Sequence, residues 1–554
     1  MTDTPHDDGA RGRIILIILV CVAIYGVLGT RLVTLGLTPA AAVAGPAASP
    51  LDEIQAARPD IIDRNGEVLA TDLVRASLYA EPRNILDVDE AVEKLTTVLP
   101  EFDPRSLRRD LSSDRGFTWL KREISAAQRE RVHDLGIPGL GFLSETRRFY
   151  PGGSSVGHIV GHVNIDNAGI AGLEKTIDGQ GLKALQSLGL ARKGQSMAPV
   201  ELTIDLRVQH AVRDELLRAK ERYQAKAAVG IVLNAKTMEV VAMSSLPDYD
   251  PNQPAQSLDE KRMNRAMTGV FELGSIMKTF TLAMALDSGV ANLNDRVDAR
   301  TPLVIGKHKI SDFHAKNRIL TVQEVFKYSS NIGTARLAML VGQERQRAYL
   351  KRLGMMAKMP SELPEGARPL VPQRWPKITV ATVSFGHGMS VTPMHAAVAG
   401  AAVLNGGTIA PPTFYPRSEA EMANVATRVI SPRVSGMVRD LFKLNAAEGS
   451  GRRARVPGYR VGGKTGTAEK VVRGVYADDK RLNSFLAAFP MDDPQFVTLV
   501  VIDEPQPAEG EQYATAGWNA APTTANIISR IAPMLSVRPH FDDGVGQLAD
   551  LGTR

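Results

Sequence analysis

Apolar residues follow three different patterns along the chain. From Ile14 to Thr30 they are continuous: IILIILVCVAIYGVLGT is seventeen residues without a charge, with Arg11 and Arg13 before it and Arg31 after it. As a helix this run spans about 26 Å, and adding Leu32–Leu37, with Arg31 snorkelling, extends it to a bilayer. Residues 14–37 are therefore expected to form a single transmembrane anchor. A buried core helix and a cleaved signal peptide are the alternatives. An A-x-A pattern exists at Ala42, Val43 and Ala44, but it lies well beyond Thr30, and the run is longer than a signal core. Two arginines before the span against one after it place residues 1–13 in the cytoplasm.

The second pattern is mixed. Thr38–Pro50 is almost entirely Ala, Pro, Gly, Ser and Val, so residues 38–57 read as a linker. In RPDIIDRNGEVLATDL, Arg58 to Leu73, the Asn65–Gly66 dipeptide between apolar runs predicts a β-hairpin. Val88–Val98 and Ser125–Leu135 carry helical spacing. A Gly-rich stretch runs from Arg147 to Asn164. Its His158 and His162 stand four apart, as metal ligands do on a helix, but Gly157, Gly161 and the missing glutamate disfavour a zinc site.

The third pattern starts near Pro199. Glu201–Asp205 alternates like a strand, Leu206–Gln224 is spaced like an amphipathic helix, and Ala228–Asn234 reads as a buried strand followed by another at Glu239–Met243. Long Ala-rich helices follow, so residues 199–540 are expected to form one mixed α/β domain. No internal repeat is visible.

Composition narrows the class. With 44% hydrophobic and 23% charged residues, the 554-residue chain is not a disordered or collagen-like polymer. Its 66 basic and 60 acidic side chains nearly cancel, which gives little reason to expect nucleic acid. The single cysteine, Cys21, lies in the apolar run and excludes intramolecular disulfides and Cys-based metal clusters.

Three short motifs carry the candidate chemistry. In FELGSIMKTFTLAMALDSG, Ser275 precedes Lys278 by one helical turn, so hydroxyl and amine share a face at a helix N-terminus. A serine nucleophile needs a base in reach and donors for an oxyanion, and lysine is a base only where burial and neighbouring cations lower its pKa. Ser329-Ser330-Asn331 interrupts an apolar pattern in VFKYSSNIGTARLA, as a loop between helices does. Lys464-Thr465-Gly466 sits in YRVGGKTGTAEK, a Gly-flanked segment expected to be an edge strand on one wall of a cleft. About one S-x-x-K arises by chance in a chain of this composition, so the joint order of the three motifs carries the signal.

That set resembles the signature of penicillin-binding proteins and serine β-lactamases. The chain is similar to class B penicillin-binding proteins, most of all the division-specific peptidoglycan D,D-transpeptidases. The likeness includes D-R-N-G-x-x-L-A at Asp63–Ala70, RRFYPGG, GLEKTIDGQ at Gly172–Gln180, PDYDPN at Pro247–Asn252 and SFGHGMSVTPMH at Ser384–His395. Departures are Leu273, where many relatives have proline, and His387, where an aromatic is common. The resemblance implies an elongated α+β pedestal over residues 58–198, a transpeptidase domain with a central antiparallel sheet flanked by helices over 199–540, and a tail at 541–554.

It also implies roles. Ser275 is the nucleophile toward a stem pentapeptide ending in D-Ala-D-Ala, Lys278 the base and Ser329 the proton relay. Asn331 holds Lys278 and the substrate peptide; Lys464, Thr465, Gly466 and Thr467 bind the terminal carboxylate, with the Ser275 and Thr467 N–H groups as oxyanion hole. Asp63 and Arg148 are read as structural ion partners. No metal or organic cofactor is implied, and β-lactam antibiotics are expected to acylate Ser275. The implied partners are the membrane, an FtsW-type glycan polymerase and other divisome proteins at the division septum, since no glycosyltransferase domain fits before the transpeptidase domain. An elongation-specific transpeptidase, a β-lactamase and a membrane-bound β-lactam sensor are the competing readings.

Overall fold

The Asn65–Gly66 turn closes a hairpin between β1, Ile61–Ile62, and β2, Val68–Ala80, with Ile62 opposite Val68. Asp63 fastens it. Its carboxylate accepts the N–H groups of Asn65 and Glu67, at 2.7 and 2.9 Å, and that of Leu206, at 2.9 Å. Asp63 is therefore a backbone acceptor joining two distant segments, in place of the expected ion partner. These and all following features come from a computed structural model that describes residues 58–182, 197–472 and 475–541, plus Leu19, Val22, Tyr25, Gly26 and Gly29. Those five residues of the apolar run are helical. The rest of the expected anchor, the linker to residue 57 and the tail after Phe541 lie outside the described residues. Among the described residues no helix is long and apolar enough to cross a membrane.

The N-terminal region is built on β2. It pairs antiparallel with β3, Thr118–Ile124, and over ten residues with β4, Leu140–Phe149. The expected helices form: α1 spans Val88–Val98, capped by Asp87, and α2 spans Ala126–His133, entered through a Ser125/Gln128 capping box. The β2 residues Leu78 and Ala80 join α1 residues Ala91, Val92 and Leu95 in a small core of their own. At the other end of β2, Leu69 and Ala70 belong to the main core, with Tyr150, Ile159 and Leu173. Between them lies a buried ionic cluster in which Arg148 and Arg58 both pair with Glu174, at 2.6 and 2.7 Å. Arg148 also reaches Asp72 at 3.1 Å.

Glu201–Asp205 departs from the expected strand. Only Val200–Glu201 is extended ladder, because the N–H groups of Leu202, Thr203 and Asp205 bond the carbonyls of Ile62, Phe414 and Val241 in three separate segments. Asp205 then caps α3, Leu206–Arg222.

The large domain is a five-stranded antiparallel sheet. Its strands are β5, Ala227–Asn234; β6, Val240–Leu246; β7, Gly462–Val472; β8, Val475–Phe489; and β9, Phe496–Asp503, in the order β7-β8-β9-β5-β6. Alternation assigns its faces. Val229, Ile231, Leu233, Val497 and Leu499 enter one core with helices Met277–Asp287, Pro393–Leu404 and Pro432–Glu448. Ala228, Val232, Val500 and Ile502 enter the other with α3 and Ala520–Met534. Burial on both faces explains why β5 reads as an unbroken apolar run.

Candidate active site

Ser275 lies in a tight turn, Gly274–Ile276, that feeds directly into helix Met277–Asp287. Lys278 is in the first turn of that helix and fully buried, because the whole helix is wrapped by core residues. Ser275 itself is half-buried, and among the described residues its hydroxyl has no hydrogen-bond partner. The Lys278 amine turns instead to the Ser329 loop. It donates to the Ser329 carbonyl and, at 3.1 Å, to Ser329 Oγ.

That loop is the expected connection between helices, Val322–Lys327 and Asn331–Val341. Ser329 has φ +55°, a left-handed conformation that costs a residue with a side chain about 1–2 kcal/mol. Ser330 caps the second helix by accepting the Gly333 N–H, and donates to Asp312 at 2.7 Å. Asn331 is the first helical residue. Its amide donates to the Ser311 carbonyl at 3.1 Å, so the structure brings Ser329, and not Asn331, to Lys278.

Lys464 arrives on β7, which is an edge strand as expected, yet the side chain is fully buried. It points across the Phe326 ring, 5.6 Å from the centroid, and donates to Ser329 Oγ at 3.0 Å and to its neighbour's carbonyl, Thr465 O, at 3.2 Å. Thr465 Oγ1 shares a hydrogen with Ser450 Oγ at 2.6 Å, and Thr467 Oγ1 accepts the Ala516 N–H at 3.3 Å. Gly466 has a steric reason to be glycine: a Cβ there would lie 2.5 Å from the Leu273 carbonyl. The strand thus presses against the turn that carries Ser275.

Electrostatics completes the site. Burial, and then the like charge of Lys464, push the Lys278 ammonium well below the usual lysine range, with Asp312 pulling the other way. Burial alone lowers Lys464 to about 7. Packing thus shifts Lys278 in the direction that a lysine base requires. Ser329 Oγ accepts from both lysines, which occupies its lone pairs and leaves its own proton free to be donated.

Several participants carry no sequence signal, because each meets the site through tertiary contact. Asp312 and Ser450 are two. A third group is Glu272, whose carboxylate accepts the Gly388 N–H at 2.7 Å and the Tyr476 hydroxyl at 3.1 Å. Away from the site, His158 and His162 contact the Arg262 carbonyl and the Tyr249 hydroxyl. Among the described residues no group of three His, Cys, Asp or Glu side chains is arranged to hold a metal.

The chain is similar to known proteins over most of its length. The profile of the penicillin binding protein transpeptidase domain matches residues 228–529, and that of the penicillin-binding protein dimerisation domain matches residues 53–189. The "Probable peptidoglycan D,D-transpeptidase FtsI" of Caulobacter vibrioides is 39% identical over 88% of this chain and 82% of its own. The "Probable peptidoglycan D,D-transpeptidase PenA" of Neisseria gonorrhoeae is 33% identical over 82% of this chain and 81% of its own. Among solved structures, penicillin binding protein 3 of Mycobacterium tuberculosis in complex with aztreonam superposes with a TM-score of 0.66 at 25% identity, over 88% of this chain and 98% of that one.

Proposed function

The chain belongs to the penicillin-binding protein family as a serine-type peptidoglycan D,D-transpeptidase, and from that premise we propose that it cross-links septal wall during cell division through an acyl-enzyme on Ser275. The observation that carries the roles is the double acceptance at Ser329 Oγ from Lys278 and Lys464. Lys278, as a free amine, removes the Ser275 proton. Ser275 Oγ then attacks the carbonyl between the two terminal D-alanines of a stem pentapeptide. Ser329 hands its free proton to the departing D-alanine nitrogen and is replenished from Lys278.

Lys464, Thr465 and Thr467 bind the terminal carboxylate, which calls for a cation flanked by hydroxyl donors. Gly466 lets the strand approach closely enough for the Ser275 and Thr467 N–H groups to form the oxyanion hole. Asn331 presents its amide to the substrate peptide from the opposite wall. An amine of a neighbouring stem peptide then displaces Ser275 and closes the cross-link.

Residues 14–37 anchor the enzyme in the cytoplasmic membrane, with 1–13 inside. Residues 58–198 form the pedestal and 199–540 the transpeptidase domain outside, which leaves 38–57 as linker and 541–554 as tail. The division role rests on the likeness to the Caulobacter FtsI, and an FtsW-type polymerase is the expected source of glycan strands. β-Lactams acylate Ser275 because they mimic the D-Ala-D-Ala end; the aztreonam complex of the mycobacterial relative supports this.

Intact mass after incubation with a penicillin tests the proposal: one adduct is expected on the unaltered chain and none on S275A. A missing adduct, or one that persists in S275A, overturns the assignment. For the division role, a fluorescent fusion is expected at mid-cell during constriction, and a lateral-wall distribution favours the elongation reading instead.

A further inference from the structure

His387 lies next to the glycine that packs on the Ser275 turn and interacts with Glu272 and Lys278 on either side of the nucleophile, a place that the acylation chemistry leaves unused. It follows Gly386, which packs onto the turn bearing Ser275: at φ +98°, a Cβ on Gly386 would fall 2.1 Å from the Gly274 carbonyl. The imidazole is held edge-on between Phe385 and Tyr476, with centroids 5.4 and 5.5 Å away. Its Nδ1 is buried without a partner, and Nε2 has none among the described residues. Among the described residues three titratable groups face it, Glu272 from the strand before the nucleophile, Lys278 from the helix after it and Tyr476 from β8. Burial and Lys278 lower the imidazole pKa while Glu272 raises it, so the neutral ring predominates at neutral pH.

Acyl transfer has a second half with its own proton problem. An acceptor amine arrives as an ammonium ion and must lose a proton before it attacks, while the Lys278 site is charged with returning a proton to Ser275.

We propose that His387 is the base for the acceptor amine, acting on the second half of the reaction that the preceding section assigns to Ser275. With hydrogen on Nδ1, Nε2 takes one proton from R–NH3+. The freed amine attacks the acyl carbon; the new C–N bond forms and the bond to Ser275 Oγ breaks. The second amine proton passes through Lys278 to Ser275 Oγ, and the imidazolium, balanced by Glu272, returns its proton to solvent. The product is an amide and the regenerated serine hydroxyl. A carbon ring at this position fills the same space between Phe385 and Tyr476 and cannot take the proton.

The test is competition at the acyl-enzyme. The full-length protein is acylated with a D-alanyl thioester in the presence of D-alanine as acceptor, and transfer and hydrolysis products are counted together by mass spectrometry. Both products arise from one intermediate, so their ratio is independent of how fast it forms. H387F is expected to lower the transfer-to-hydrolysis ratio by about 10²-fold near neutral pH. Its ratio should also climb about tenfold per pH unit toward the amine pKa, where the unaltered chain is nearly flat. An unchanged ratio and slope, or an equal fall in both products, overturns the inference. H387Q gives the same readout if H387F does not fold. No acyl-enzyme at all in the unaltered chain overturns the Ser275 assignment itself, a result distinct from the failure of His387.

Discussion

Lys278 and Lys464 donate to the same oxygen: their amines lie 3.1 and 3.0 Å from Ser329 Oγ, and both side chains are fully buried. Two ammonium ions sharing one neutral acceptor in a dry site are costly, so the resting site sheds protons. The base that acylation needs is a by-product of how the three chain segments pack.

Burial of Lys464 sets a pH dependence of stability. Lys464 falls from its unfolded value to about 7 on folding, so between about pH 7 and 10 the unfolded chain binds more protons than the folded one. Stability therefore rises with pH across that window, by up to about 1.4 kcal/mol per unit, and the contribution is lost below about pH 7. Denaturant titrations of the detergent-solubilised chain at pH 7 and 9 should show the rise, and K464M should reduce it, with the buried Lys278 supplying the slope that remains. Equal slopes in both proteins would contradict the burial argument.

Ser329→Ala removes the shared acceptor and the relay together. The rate of labelling by a fluorescent penicillin is expected to fall by about 10²-fold or more. The Ser329 carbonyl still accepts from Lys278, so the thermal transition should move little. A large loss of stability with normal labelling would assign Ser329 a purely structural role.

Gly386 and Gly406 offer a matched pair, with φ of +98° and +104°. Alanine strains the backbone by about 1–2 kcal/mol at either site. At Gly406 a Cβ meets nothing within 4 Å, whereas at Gly386 it strikes the Gly274 carbonyl. G406A should keep penicillin labelling with a slightly lower melting temperature, and G386A should lose labelling because the Ser275 turn is displaced. Similar labelling in both would show that the turn tolerates movement.

Glu174→Gln leaves Arg58 and Arg148 without their shared carboxylate at a buried site. Removing one partner of a buried ionic cluster costs about 3–5 kcal/mol, and the loss should appear as a lower unfolding midpoint in urea. A midpoint within error of the unaltered protein would mean that Asp72 and solvent compensate.

Ser275, Lys278 and Lys464 were legible in the sequence because their chemistry is written in short local spacings. So were α1, α2 and the strand Ala227–Asn234, whose caps and apolar runs are local too. What escaped depends on which distant segment receives a polar group. Asn331 looks equally able to serve Lys278, until Ser329 adopts its left-handed turn and the Asn331 amide goes to Ser311. Asp63 reads as a structural ion partner, but three backbone N–H groups claim it. Glu201–Asp205 alternates like a strand, yet its donors serve three different neighbours.

The strand Val68–Ala80 has a mechanical consequence. Its thirteen residues, about 43 Å of extended chain, begin in the core shared with the catalytic domain and end in the small outer core. Ten consecutive pairs lock it to Leu140–Phe149. Tension applied at the outer core runs along the strand axis and loads those pairs in parallel, as shear, so no single hydrogen bond bears it alone. The outer core is thus coupled to the Asp63 turn and the start of helix Leu206–Arg222 by a stiff strut, and displacement at one end arrives at the other undiminished by slack.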